Sequence, residues 1–153
     1  MIGMMYLVLT AMLALNVSSE VLDAFAKVDK GLYKTNQITK LKNGEIIKAL
    51  ESAYGDNPVK VKPFLDKAKA VTKATSEIVN KIEENKAAIV KYKDGEDFNL
   101  LDIKNKGNRE AAALVMLNNK RATNLKNDVH TYRDQLLNML SGAPENLRNS
   151  ILE

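Results

Sequence analysis

The chain has 153 residues, a formal net charge of +4, one histidine and neither cysteine nor tryptophan. Without cysteine there is no disulfide scaffold, thiol nucleophile or thiolate metal site. Lysines alternate with acids, and no aromatic platform or arginine cluster accompanies them, so the charge belongs to solvated helix faces rather than to a nucleic-acid surface.

Residues 1–19 contain no Asp, Glu, His, Lys or Arg. A helix of that length rises just far enough to cross a bilayer core of about 30 Å, so the run predicts a single transmembrane helix over 1–19. A cleavable signal peptide is the rival reading. No basic segment precedes the apolar run, however, no Ala-x-Ala site closes it, and the helical pattern continues through Glu20 to Lys40 without a breaker. With no Lys or Arg ahead of Met1, further residues are expected before it.

Beyond the span, Val21, Phe25, Val28 and Leu32 recur at steps of four and three, which predicts one rod running from the membrane into the aqueous domain. Followed backwards, the same heptad face carries Ser18, Ala14, Ala11, Leu7 and Met4. Small residues in the membrane portion and large ones outside suit a helix pair: lipid supplies no hydrophobic drive, so close backbone approach must replace it. The expected dimer seam is therefore Met4, Leu7, Ala11, Ala14, Ser18, Val21 and Phe25. The competing assignment packs this face against helices of the same domain. Tyr6 and Thr10 share a second face about 100° around the helix and are the candidates for contact with another partner. The competing roles are an interfacial tyrosine and a threonine bonded to its own backbone.

Residues 20–153 then predict one helical domain, rich in Ala, Leu, Lys, Asn and Glu. Asn43 and Gly44 suggest a break or kink in the first helix. Gly55, Asp56, Asn57 and Pro58 spell a stop and a start, with Asn57 as cap and Pro58 in the first turn of a helix running to about Val90. Its apolar stripe is Phe64, Ala68, Val71, Thr75, Ile78, Ile82 and Ile89. The segment 93–108 reads as a packed loop, because Phe98, Leu100, Leu101 and Ile103 punctuate its polar residues. A short helix from Arg109 to Leu117, an interruption at Asn118 and Asn119, and a helix with the stripe Leu125, Val129, Tyr132, Leu136 and Leu140 follow. Gly142 ends that helix and Pro144 opens a last one. The fold class is all-α: a single amino-terminal transmembrane helix continuing into an antiparallel helical bundle.

No catalytic, cofactor-binding or metal-binding set emerges, and the chain does not read as an enzyme. His130 has Asn127 and Asp134 at helical spacing rather than a second nitrogen ligand. Glu83 and Glu84 are adjacent on a helix and point apart, which makes a poor acid–base dyad. Phosphate-binding glycine loops and nucleophile motifs are missing. Asn16-Val17-Ser18 matches a glycosylation pattern, but at a membrane edge the match is taken as chance.

The run Met4-Met5-Tyr6-Leu7-Val8-Leu9-Thr10-Ala11-Met12-Leu13-Ala14-Leu15-Asn16-Val17-Ser18-Ser19-Glu20-Val21-Leu22-Asp23-Ala24-Phe25 closely resembles the amino-terminal segment of the GldM (PorM) family. Val61-Lys62-Pro63 and Tyr132-Arg133-Asp134-Gln135-Leu136-Leu137 resemble its first, all-helical periplasmic domain. The resemblance implies a force-transmitting subunit of a proton-motive-force-driven motor for type IX secretion and gliding motility in the bacterial inner membrane. Its implied partners are a second GldM copy, a surrounding ring of GldL-type subunits that Tyr6 and Thr10 would face, and outer-membrane-associated proteins reached through later domains. The family's short cytoplasmic segment would lie before Met1 and its β-rich domains beyond Glu153. The alternative from another class is an anchored periplasmic helical sensor or adhesion module.

Overall fold

The computed structural model describes residues 2–15, 19–108 and 110–152. In chain order the helices are α1 (Ile2–Leu15), α2 (Ser19–Asp56), α3 (Pro58–Asp94), α4 (Glu110–Asn118), α5 (Arg121–Met139) and α6 (Glu145–Leu152), and among the described residues there is no strand. At 1.5 Å per residue α2 and α3 rise about 57 and 55 Å. The all-α expectation holds.

One residue separates these two long helices. The Asn57 N–H donates to the Ala53 carbonyl at 3.0 Å, completing the last turn of α2. Its side-chain Oδ1 accepts the Lys60 N–H at 3.2 Å, while its carbonyl accepts from Val61 at 3.1 Å. Asn57 thus finishes one helix and caps the next, with Pro58 in the first turn where its missing N–H costs nothing. The resulting hairpin is antiparallel: Glu51 pairs with Lys69 near the turn and Asp23 lies at the far end beside the loop that follows α3.

Helix α3 is the spine, with α2, α4 and α5 all packed on it and α6 packed on α5. Asn85 meets Arg121, Lys81 meets Asp128 and Thr75 meets Tyr132, so α5 runs back along α3 in the opposite sense. The sites of chain entry into α2 and of α6 consequently lie at opposite ends of the domain. The core is thin. Leu65, Ala74, Ile78, Val90 and Ala111 are its buried apolar residues among those described, each large one contributing about 1.5–3 kcal/mol by leaving water.

Several expectations are corrected. Asn43 and Gly44 do not interrupt α2, which continues to Asp56; a lone helical glycine costs only about 1 kcal/mol relative to alanine. Helix α3 reaches Asp94 rather than stopping near Val90, and Gly95 ends it at a positive φ of 82° that glycine adopts without strain. In its first turns the inward residue is Leu65, and Phe64 is 64% exposed. On α5, Leu125, Tyr132, Leu136 and Leu140 are half-buried, but Val129 is exposed. The interruption after α4 falls as expected, one residue later, at Asn119 and left-handed Lys120.

The expected transmembrane helix over 1–19 is not found. Among the described residues no helix is long and apolar enough to cross a membrane. Of the expected span, the structure describes helix α1, whose 14 residues rise about 21 Å. Residues 16–18, on which continuity of the rod depends, lie outside the described residues. So does Arg109; the described part of the helix expected from it is Glu110–Asn118.

Candidate assembly interface

Helix α1 exposes apolar side chains around its circumference, among them Ile2, Met4, Met5, Leu7, Val8, Leu9 and Met12. It packs closely on no other described helix. Met4 and Leu7 therefore stand on an open surface. The expected seam positions at Ser18 and at the side chains of Ala11 and Ala14 lie outside the described residues.

Tyr6 and Thr10 do share a face. The Thr10 hydroxyl donates to the Tyr6 backbone carbonyl one turn earlier, and the Tyr6 ring is 74% exposed. A threonine has one O–H, so at Thr10 that donor is committed to the helix and only acceptor capacity is left for a neighbour. Thr35, Thr39, Thr72 and Thr131 bond backwards in the same manner.

On α2 the stripe is open rather than buried in the chain's own core. Phe25, Val28 and Leu32 are 66%, 59% and 58% exposed, and Val21 is also exposed. The residues of α2 that turn inward are instead Leu22 and Ala26 at one end and Ile47, Leu50 and Ala53 at the other. Each of Leu22 and Ala26 follows a stripe residue by one position, about 100° around the helix, so packing on α3 leaves the stripe turned outward. An exposed apolar row of this length on one helix is a candidate interaction surface.

Beside the stripe lies a cavity of about 330 Å³ between the start of α2, the end of α3 and the 95–108 loop, with Leu22, Phe25, Val90, Leu100, Ile103 and Ala111 among its walls. The loop above it is held by side chains that sequence reasoning did not single out. Asp94 accepts the Lys104 N–H at 2.8 Å and the Asn105 N–H at 3.1 Å through separate oxygens, and the Asn105 amide at 2.8 Å. The Lys104 N–H bond, with help from Asn105, holds the Asp94 carboxyl below its ordinary range. Asn108 Oδ1 accepts from Glu110 and Ala111 and caps α4. Lys106 Nζ donates to Asp23 on α2 at 2.7 Å. That contact lowers the Asp23 carboxyl and raises the Lys106 ammonium. Asn108, just before a run of alanines, was the one legible signal; the rest depends on distant segments meeting.

A long helical hairpin with an open apolar stripe, together with an uncharged apolar helix, makes the described residues an all-helical unit. The GldM N-terminal domain model matches residues 20–152, and the chain belongs to that family. Membership ties it to the machinery of gliding motility and type IX secretion, in the setting of a membrane-associated motor complex. None of the curated proteins matches the sequence.

Proposed function

We propose that this chain is the membrane-proximal, force-transmitting segment of a proton-motive-force-driven motor that powers type IX protein secretion and gliding motility. In this reading residues 1–19 lie in the inner membrane, inside a ring of GldL-type subunits, and residues 20–153 form the first periplasmic domain. Two copies pair along Phe25, Val28 and Leu32, and later domains reach the outer-membrane partners. Because 1–19 carries no Asp, Glu, His, Lys or Arg, protons cross on the ring subunits and this chain receives the motion. One elementary charge falling through 100 mV releases about 2.3 kcal/mol, comparable with a few helix contacts.

The observation that carries this reading is the open stripe on α2, because a rod that two copies share needs an apolar face its own domain does not consume. The opposed positions of the α2 start and α6 also suit a strut. The test is single-cysteine crosslinking along 21–34 of the full protein in native membranes. Yield should peak at 25, 28 and 32 and fall at 23, 27 and 30; a flat profile, or peaks on the Leu22 and Ala26 face, would overturn the pairing.

A further inference from the structure

Between Lys27 and Ile46 every side chain of α2 is exposed. Among the described side chains of α2, the half-buried ones fall in two groups, one toward each end. At the turn end the grip is covalent as well as packed, with Asn57 joining α2 to α3 and Glu51 bonded to Lys69. At the end next to α1 the inward residues are Leu22 and Ala26, beside a cavity rather than a filled core. What spans that end is the 95–108 loop. Its root is fixed to the last residue of α3 by the Asp94 carboxylate and by the Asn105 amide, which also donates to the Lys93 carbonyl at 3.1 Å. Its tip reaches α2 through Lys106 and Asp23, 83 positions apart in the chain.

We propose that the 95–108 loop is a strap that transfers force between the first turns of α2 and the α3 spine, with Asp94 as its root and Lys106 as the positioning residue that holds Asp23. The force-transfer part rests on the motor reading above, whereas the strap itself does not. A stiff loop is required for this, since a slack one passes no force until it is stretched. Three hydrogen bonds onto one carboxylate supply the stiffness. The lowered Asp23 and Asp94 carboxyls and the raised Lys106 ammonium agree with close, charge-assisted contacts at both ends of the loop. Lys27, four residues along α2, is the other cation acting on Asp23, and Asp102 the other anion acting on Lys106. Simple removal of Lys106 leaves Lys27 to compensate, so charge reversal is the sharper change.

The experiment compares Lys106→Asp, Asp23→Lys, the double exchange Asp23→Lys with Lys106→Asp, and Asp94→Ala, each in the full protein within its native membrane complex. Amide hydrogen exchange and secretion rate are read for each. Lys106→Asp should raise exchange across 19–30 about two- to fivefold, the scale of an exposed ion pair, with little change at 95–108. Asp94→Ala should raise exchange at both segments, because freeing the root slackens the tip. The double exchange should restore exchange at 19–30 and secretion together. Unchanged exchange at 19–30 in Lys106→Asp, or a double exchange that stays as fast as either single, would overturn the strap. Restored exchange with secretion unaltered in every variant would keep the strap and overturn the motor reading on which its force transfer depends.

Discussion

The hydroxyls of Thr75 and Tyr132 lie 2.9 Å apart, joining α3 to α5 in a part-buried position. Thr75 also donates to the Val71 carbonyl at 2.8 Å. Its single proton is used there, so Tyr132 is the donor in the pair. Removing either hydroxyl should cost about 1 kcal/mol, and the Thr75→Val, Tyr132→Phe cycle should show a coupling of about 0.5–1 kcal/mol in denaturant unfolding. Thr72→Val is the control. That hydroxyl is exposed and bonds only back to Ala68, so its replacement should change stability by less than about 0.5 kcal/mol.

The face that α3 presents to the core is tested by two neighbouring aromatic and aliphatic positions. Leu65→Ala and Ile78→Ala should each destabilise by about 2–4 kcal/mol, because both side chains are buried. Phe64→Ala should cost far less despite its larger side chain. Thermal denaturation that ranks Phe64→Ala above Leu65→Ala would mean that Phe64 is covered in the assembled protein.

Acid and base act on the strap from opposite sides. The folded pKa values of Asp23 and Asp94 lie below the ordinary 3.8, so their contribution is complete above pH about 4 and is lost as pH falls through the folded values. Lys106 is raised above 10.5, so its contribution is complete below that pH and disappears as pH climbs through the folded value. Urea midpoints measured between pH 2 and 6 should therefore drop less steeply in Asp94→Asn than in the unaltered chain. Added salt should weaken the Lys106 contact, which is solvent-exposed.

Tyr6→Phe removes a hydroxyl and keeps the ring. If Tyr6 and Thr10 tune a partner ring, Tyr6→Phe should leave assembly intact and reduce secretion and gliding. The effect would come from the lost hydrogen bond to a partner carboxylate. Thr10→Val should have the smaller effect, because its donor already serves the Tyr6 carbonyl. Normal motility in the double variant at normal protein level would reduce both residues to packing.

Local punctuation was legible in the sequence: Asn57 with Pro58, the interruption after α4, and Gly142 with Pro144 all fall where the structure has helix ends. Each acts through its own backbone, within a few residues. Asn43 and Gly44 do not end the helix because a propensity penalty near 1 kcal/mol is too small to stop one on its own. Phe64 was misplaced because Phe64 and Leu65 are both apolar and periodicity cannot choose between adjacent positions. The strap was illegible for a different reason. Asp23, Asp94 and Lys106 are ordinary surface residue types, and only the antiparallel return of α3 brings them together.

The bare middle of α2 has a thermodynamic consequence. Between Lys27 and Ile46 it holds Gly31, Gly44, Thr35, Thr39, Asn36 and Asn43, residues that favour helix weakly, and no tertiary contact buries their neighbours. A helix of about 20 residues with these interspersed is marginal on its own in water. Its order must then be borrowed from whatever covers Val28 and Leu32, and amide protection in this span becomes a gauge of occupancy: low in dilute monomer, rising with concentration, while α3 between Leu65 and Val90 stays protected throughout.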